Sequence, residues 1–140
     1  MKSIILSALI LFLIGSVSFA QTLSKKEIKE LGLSSIAEYE TDLRDRRAKE
    51  QLESFTRYNK DGEVIEIKEI DNTGLVILHE KYEYDSEGRK IVEERYNPDG
   101  TLNRKHVYSW KGKLRTERKT YDAKGKLIIE KRYVYEYHQK

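Results

Sequence analysis

The three histidines are the side chains of this sequence best suited to acid–base chemistry or metal binding. His79, His106 and His138 lie far apart in the chain, and no H-x-x-x-H spacing occurs that would bring two imidazoles to one metal. The sequence contains no cysteine, which excludes thiolate ligands, disulfides and a thiolate nucleophile. We therefore expect ordinary strand histidines, and we predict neither a metal site nor a cofactor.

Acidic residues recur along the chain without a pattern that suits catalysis or calcium binding. Each acidic turn, such as the one containing Asp99, offers one to three carboxylates, whereas Ca²⁺ takes about six to eight oxygen ligands. Carboxylates are spread so evenly that no pair stands out as a general acid and base. The serines have no glycine elbow, and Gly-rich phosphate loops are absent. The sequence predicts a protein that is not an enzyme.

Aromatic side chains are stronger candidates for a binding surface. Trp110 is the single tryptophan, and it replaces a polar residue in a predicted turn beside Tyr108. An indole at a turn tip could stack on a sugar ring or anchor a partner, and the alternative is that it folds back over the neighbouring strand. Tyr133, Tyr135 and Tyr137 alternate along the last predicted strand and so point the same way. We predict binding through these five residues.

A repeated turn positions these candidates. Glycines recur every 12 to 14 residues, and three positions before each stands Asn, Asp or, once, Ser. A side-chain oxygen at the first turn position bonds the backbone two residues on, and glycine at the fourth position accepts a left-handed conformation. This pattern is typical of a type I turn with a G1 bulge. The turn glycines are Gly62, Gly74, Gly88, Gly100, Gly112 and Gly125.

The segments between the turns predict an antiparallel meander of β-hairpin repeats. They are about eight residues long and rich in Ile, Val, Tyr and Thr, as strands are. Their centres are charged, and neither face alternates cleanly between apolar and polar residues, so we predict an open, twisted, largely single-layer sheet of the all-β class. If the residue after each glycine pairs with the first turn residue, Lys81 faces Glu93 and Glu93 faces Lys105.

Residues 1–20 have the pattern of a secretory signal peptide. Lys2 precedes an apolar run. Ser18 and Ala20 supply the small residues of a cleavage site before Gln21. An uncleaved anchor is the alternative, which we disfavour because the run is short for a bilayer. We expect an exported protein, periplasmic or secreted, without a stable membrane span once the signal is removed.

The segment between the signal peptide and the repeats predicts a short helix and a first hairpin. Ser24 and Glu27 form a capping box, and the following Gly32 ends a helix of two turns. Residues 34–52 fit either a further helix or two charged strands, and we favour strands because they would extend the sheet. The predicted organisation is a signal peptide at 1–20, a helix and first hairpin at 21–52, and a repeat domain at 53–140.

The repeated unit Tyr121-Asp122-Ala123-Lys124-Gly125-Lys126-Leu127 resembles the tyrosine–aspartate (YD) repeats of the RHS and wall-associated protein families. The resemblance covers residues 58–137. A short exported chain with Ala20-Gln21 at its cleavage site also resembles small repeat proteins of the Bacteroidetes. It implies hairpin repeats in an extracytoplasmic setting. Large RHS proteins enclose a toxin in a β-shell, and some are described as carbohydrate-binding, but six turns are too few to enclose a cargo.

Charge balance and the aromatic residues indicate a binding protein. The chain has 27 Lys and Arg against 24 Asp and Glu, so no strong field points to nucleic acid. We predict a non-catalytic exported protein whose Tyr-, Lys- and Glu-rich sheet binds an envelope protein or polysaccharide, with self-association through an exposed edge strand. The alternative is a periplasmic carrier of a lipid or other apolar ligand, which requires a continuous apolar face. The charged strand centres that oppose a carrier are Glu66, Glu80, Glu94, Arg104 and Arg118.

Overall fold

The computed structural model describes residues 23–138, and the predicted signal peptide lies outside this range. Eight strands form one antiparallel sheet, in which the spatial order of the strands is their order in the chain. The predicted mainly β, open meander with a short N-terminal helix is confirmed. Its elements are α1 (Lys25–Leu31), β1 (Ser35–Glu40), β2 (Gln51–Tyr58), β3 (Val64–Ile70), β4 (Val76–Tyr84), β5 (Lys90–Tyr96), β6 (Leu102–Lys111), β7 (Leu114–Asp122) and β8 (Leu127–Arg132).

The helix α1 begins and ends at the predicted residues. The Ser24 side chain accepts a hydrogen bond from the Glu27 backbone, and the Glu27 carboxylate accepts one from the Ser24 N–H at 2.8 Å. Gly32 ends the helix with a φ of 65°. Ile28 is 2% exposed and lies in a groove between the helix and the sheet, which it shares with Ile67. No helix among residues 23–138 is long and apolar enough to cross a membrane.

Ion pairs and a close backbone contact hold α1 against the turn between β2 and β3. Lys25 Nζ lies 2.6 Å from Glu63 Oε1, and Lys29 Nζ lies 2.9 Å from Asp61 Oδ1. The helix backbone passes so close to Gly62 that a Cβ at this position would lie 2.3 Å from the Lys25 carbonyl oxygen. Gly62 therefore serves both the turn and the docking of the helix.

Residues 34–52 contain β1 and the start of β2 and no helix, in agreement with the strands favoured from the sequence. β1 pairs with β2 in antiparallel register, and a loop over 41–50 joins them. β2 begins at Gln51, so the predicted boundary between residues 52 and 53 falls inside this strand. The first hairpin and the repeats consequently belong to one continuous sheet.

Five of the six predicted turns have the predicted backbone geometry. In the turn between β7 and β8, the Gly125 N–H donates to the Asp122 carbonyl oxygen, and the Asp122 N–H donates to the Lys126 carbonyl oxygen, both at 3.0 Å. The Asp122 carboxylate also accepts a hydrogen bond from the Lys124 N–H at 2.9 Å. The same backbone pattern occurs in the turns that begin at Asn59, Asp71, Asp85 and Asn97.

The turn at Gly112 differs from the prediction. β6 continues to Lys111 and pairs there with Leu114, which leaves only Gly112 and Lys113 in the turn. Gly112 has a φ of 55°, and no described non-glycine residue has a positive φ. A positive φ at the first central residue alone is typical of a type II′ turn. The predicted turn beginning at Ser109 is wrong, because Ser109 is part of the strand.

The strand register is the predicted one at the pair next to each type I turn, as for Tyr96 and Leu102, and is displaced by one residue beyond it. The structure pairs Lys81 with Glu94 instead of Glu93, and Lys105 also pairs with Glu94. The cause is a residue next to the turn, Ile91 in this hairpin, that remains outside the pairing. The other four hairpins with type I turns have the same shift. An extra residue of this kind increases the local twist of the strand pair.

The observed register separates the sheet into two faces. The first, face A, is the side that carries a row of alternating charge across five strands. Lys105 Nζ lies 3.1 Å from Glu94 Oε1, and Arg57 Nη2 lies 3.3 Å from Glu66 Oε2. Directly opposed charges of this kind stabilise a sheet by about 0.2–1 kcal/mol per pair. The row consists of Arg57, Glu66, Lys81, Glu94 and Lys105.

The opposite side of the sheet, face B, contains a buried carboxylate. Glu80 is 8% exposed. Arg95 Nε donates to Glu80 Oε1 at 2.7 Å, and the Tyr82 hydroxyl donates to Glu80 Oε2. Burial acts to raise the pKa of Glu80, but these two hydrogen bonds outweigh it and leave the pKa below its ordinary value. Glu80 is therefore charged at neutral pH and stabilises the middle of face B.

Candidate functional site

Trp110 lies within β6 and not at a turn tip. Its indole Nε1 donates to the carbonyl oxygen of Lys90 in β5 at 2.8 Å, and the residue is half-buried. The turn-tip prediction is wrong because the short turn at Gly112 allows β6 to continue past Trp110. The alternative considered from the sequence, in which the indole folds over the neighbouring strand, is the observed arrangement.

Trp110 and Tyr108 share a contact with one arginine. The Arg115 guanidinium carbon lies 4.2 Å from the centre of the Tyr108 ring and 5.0 Å from the centre of the Trp110 ring. The Tyr108 hydroxyl donates to Glu93 Oε2 at 3.2 Å. Burial, together with the Glu93 charge, raises the pKa of Tyr108 to about 12, so its phenol is protonated at neutral pH. Arg115 thus joins two of the predicted binding residues.

The predicted last strand is shorter than expected, and its three tyrosines have different environments. β8 ends before Tyr133, and one further backbone bond, from the Tyr133 N–H to the Thr116 carbonyl oxygen at 3.0 Å, extends the pairing. The Tyr135 hydroxyl donates to the carbonyl oxygen of Arg115 at 2.6 Å. Tyr137 is 77% exposed and lies beyond this contact. We call Tyr108, Trp110, Arg115 and Tyr135 the aromatic corner.

Cations without ion-pair partners surround the aromatic corner on face B. Arg118 lies in one cross-strand row between Tyr108 and Lys131. The Nε atoms of Arg115 and Arg118 are buried without a hydrogen-bond partner among the described residues. Within residues 23–138, the face-B cations that form no ion pair are Arg104, Arg115, Arg118 and Lys131.

Sequence reasoning did not single out Arg115 or Arg118. The missed signal is Ser109, which stands where the other five turns have Asn or Asp. Without an Asx side chain to start a longer turn, Gly112 and Lys113 can form a two-residue turn. That turn would have placed Arg115 opposite Trp110, as observed.

The histidines do not converge. His79 Nε2 lies 2.8 Å from Glu66 Oε1 on face A, whereas His106 Nδ1 lies 2.9 Å from Oγ1 of the fully buried Thr120 on face B. His138 is exposed and follows the last strand. No group of three His, Cys, Asp or Glu side chains within residues 23–138 is arranged to hold a metal ion.

We expect replacement of His106 by glutamine to reduce the acid sensitivity of the protein. Burial lowers the pKa of His106, and Arg118 acts in the same direction against the opposing charge of Glu93. The unfolded chain therefore binds this proton more readily, and stability is lost as the pH falls below about 6.5. The urea concentration at the midpoint of unfolding should differ less between pH 7 and pH 5 in His106→Gln than in the wild type. The exposed His138→Gln variant is the control, and equal pH sensitivity in all three proteins would contradict the prediction.

The aromatic corner and the cations around it form the candidate binding site. They bring together the predicted residues Tyr108, Trp110 and Tyr135. The Lys131 ammonium lies 6.0 Å from the centre of the Tyr133 ring, whereas Tyr137 is exposed beyond the Tyr135 contact. No family model matches this chain, and no curated protein matches it.

Proposed function

We propose that this chain is a non-catalytic, exported β-repeat protein of the tyrosine–aspartate type that binds a polysaccharide or a protein of the cell envelope. The signal-peptide pattern of residues 1–20 supports export. The observation that carries the binding proposal is the convergence of Tyr108, Trp110 and Tyr135 on Arg115. These residues come from three segments of the chain that the fold brings to one corner of the sheet.

The aromatic corner is suited to binding because its side chains are already held in place. The Trp110 indole is fixed by its hydrogen bond to Lys90, and the Arg115 guanidinium is fixed over two rings. Tryptophan, tyrosine and arginine are the residues that most often dominate the energy of an interface. Because these groups are ordered before a partner arrives, association costs less conformational entropy.

The charges of the sheet do not favour the alternative of a lipid carrier. Glu66 and Glu94 belong to the charged row of face A. Glu80, Arg104 and Arg118 lie on face B. An apolar ligand would therefore meet charged strand centres on either side of the described sheet, and desolvating them is costly.

The proposal is tested by capture from two separate envelope fractions, one containing purified polysaccharide and one containing solubilised protein. The full chain, purified after export, is immobilised beside the variants Trp110→Ala and Tyr39→Ala. Tyr39 is a matched control because it is 58% exposed on β1, far from the aromatic corner. We expect the wild type and Tyr39→Ala to retain the same component, and Trp110→Ala to lose roughly tenfold in affinity, as expected for an aromatic anchor.

A Trp110→Phe variant separates loss of the binding surface from loss of folding, because it retains an aromatic ring beside Arg115. All variants are compared by circular dichroism before capture. Equal retention of the component by the wild type and Trp110→Ala would contradict the proposal. Capture of lipid alone would favour the carrier.

A further inference from the structure

We propose that the aromatic corner and the adjoining cations of face B bind an acidic polysaccharide, a glycan whose sugars carry carboxylate or sulfate groups. This inference rests on the proposed function and specifies the chemistry of its ligand. It is carried by four cations that lie on one side of the sheet and form no ion pair among the described residues. The cations are Arg104, Arg115, Arg118 and Lys131.

The carboxylates nearest to these cations are already bound to other partners. Glu80 accepts a hydrogen bond from Arg95, and Glu93 Oε2 lies 3.4 Å from Lys90 Nζ. Asp122 is the cross-strand neighbour of Arg104, but its Oδ1 accepts backbone hydrogen bonds within its own turn. None of the three carboxylates forms an ion pair with the four cations.

Face A provides an internal comparison. The cations of its alternating row meet carboxylates directly, as Lys105 meets Glu94 and Arg57 meets Glu66. The same sheet therefore neutralises one row of charge and leaves another without partners. Burying or crowding cations without counter-charges destabilises a protein unless something else supplies the negative charge.

The two central arginines are prepared for an oxyanion. Their Nε atoms are buried and unpaired, and an unsatisfied buried donor costs about 1–3 kcal/mol. Arg115 lies over the rings of Tyr108 and Trp110, which hold the guanidinium by its face, while its terminal Nη groups form no hydrogen bond among the described residues and can donate. A guanidinium matches the two oxygens of a carboxylate or sulfate with parallel hydrogen bonds.

The spacing of the face-B residues Tyr108, Arg118 and Lys131 also suits a linear sugar polymer. Tyr108, Arg118 and Lys131 lie side by side on β6, β7 and β8, and neighbouring strands are about 4.8 Å apart. This spacing is comparable to the length of one sugar unit. The half-buried Trp110 at one end presents an apolar ring against which a pyranose can stack.

Nucleic acid fits this surface less well. Single-stranded nucleic acid is bound by several exposed aromatic rings on which successive bases stack. In the aromatic corner, Tyr108 is 8% exposed beneath Arg115, which leaves the half-buried Trp110 and the 41% exposed Tyr135 as the accessible rings. The Tyr135 hydroxyl is already bound to the Arg115 carbonyl oxygen.

The test measures the affinity of the full exported chain for four polymers at one ionic strength. The polymers are polygalacturonate, the same polymer after reduction of its carboxylates, dextran sulfate and single-stranded DNA. The variants are Arg118→Gln and the exposed Arg104→Gln, with Arg46→Gln in the β1–β2 loop as a control of equal charge change. We expect the wild type to bind at least one acidic polysaccharide, with roughly tenfold loss in Arg118→Gln, about 1.4 kcal/mol. Arg46→Gln should change affinity by less than about twofold.

Several outcomes would overturn the inference. Equal affinity for the reduced, neutral polymer would show that acidic groups are not recognised, while the envelope capture dependent on Trp110 could still succeed. Equal losses of affinity in Arg46→Gln and Arg118→Gln would indicate that the polymer is attracted by the overall charge of the protein and not by this site. Tighter binding of DNA than of either acidic glycan would identify a nucleic-acid surface. Binding to none of the four polymers would contradict the proposal that the ligand is an acidic polysaccharide. Arg104→Gln keeps the test valid if Arg118→Gln fails to fold.

Discussion

Replacing Gly62 with alanine should destabilise the protein far more than replacing Gly100 with alanine. Both glycines occupy the fourth position of a type I turn, with φ values of 78° and 84°. Each substitution therefore incurs the left-handed backbone cost of about 1–2 kcal/mol. A Cβ at Gly100 would meet open space, whereas a Cβ at Gly62 would lie 2.3 Å from the Lys25 carbonyl oxygen and 3.2 Å from the Lys29 nitrogen.

Because both contacts at Gly62 are backbone atoms, α1 has to move away from the turn. That movement exposes Ile28, whose burial stabilises by about 1.5–3 kcal/mol. We expect a total loss of about 3–5 kcal/mol for Gly62→Ala, which lowers the unfolding temperature by roughly 10 °C or more. Thermal unfolding followed by circular dichroism measures both variants. Similar unfolding temperatures for the two would mean that α1 is not docked on the turn.

Replacing Glu80 with glutamine should have the next largest effect. The two Glu80 oxygens accept from the Tyr82 hydroxyl and Arg95 Nε. A glutamine offers one oxygen, so one of the two donors loses its acceptor. Hydrogen bonds to charged groups contribute about 1.5–3 kcal/mol. Because the Arg95 side chain is 56% exposed and can turn to water, we expect a loss near the middle of that range, about 2 kcal/mol.

The pH dependence identifies the cause of this loss. The folded-state pKa of Glu80 is lowered, so its stabilisation is present above the unfolded value of about 4.5 and disappears as the pH falls through the folded value. Chemical denaturation should therefore show that Glu80→Gln has a much lower free energy of unfolding than the wild type at pH 7. At pH 3 this difference between the two proteins should be smaller. Glu69→Gln is the matched control, since Glu69 is an exposed strand carboxylate. An equal effect of both substitutions at pH 7 would refute the role of Glu80.

Local structure could be read from the sequence because it depends on neighbouring residues. The capping box of Ser24 and Glu27 and the terminating Gly32 define α1 without help from the rest of the chain. Asn or Asp three residues before a glycine specifies a turn through bonds within that turn. Where this local chemistry is absent, at Ser109, the prediction of the turn was wrong. The error then placed Trp110 at a turn tip.

Contacts between distant residues could not be read in the same way. One unpaired residue next to each type I turn, such as Ile91, moves every later cross-strand pair by one position. Repeat spacing alone does not reveal it, because the extra residue lies inside a strand of ordinary composition. The sequence also named Trp110, Tyr108 and Tyr135 as binding residues by type. It could not bring in Arg115, whose place beside them depends on the turn at Gly112 and on the path of the chain after β8.

The sequence by itself determined the class of fold, the positions of five of the six turns, the helix and its caps, and the charged character of the strand centres. All of these follow from side chains acting on their own backbone or from the period of the repeat. Only the tertiary structure decided which charges pair, that α1 docks over Gly62, and that three aromatic residues and unpaired arginines share one corner. The docking of α1 depends on its contacts with the turn between β2 and β3. The charge pairs and the shared corner depend on strand register, because a shift of a single residue exchanges every neighbour across the sheet.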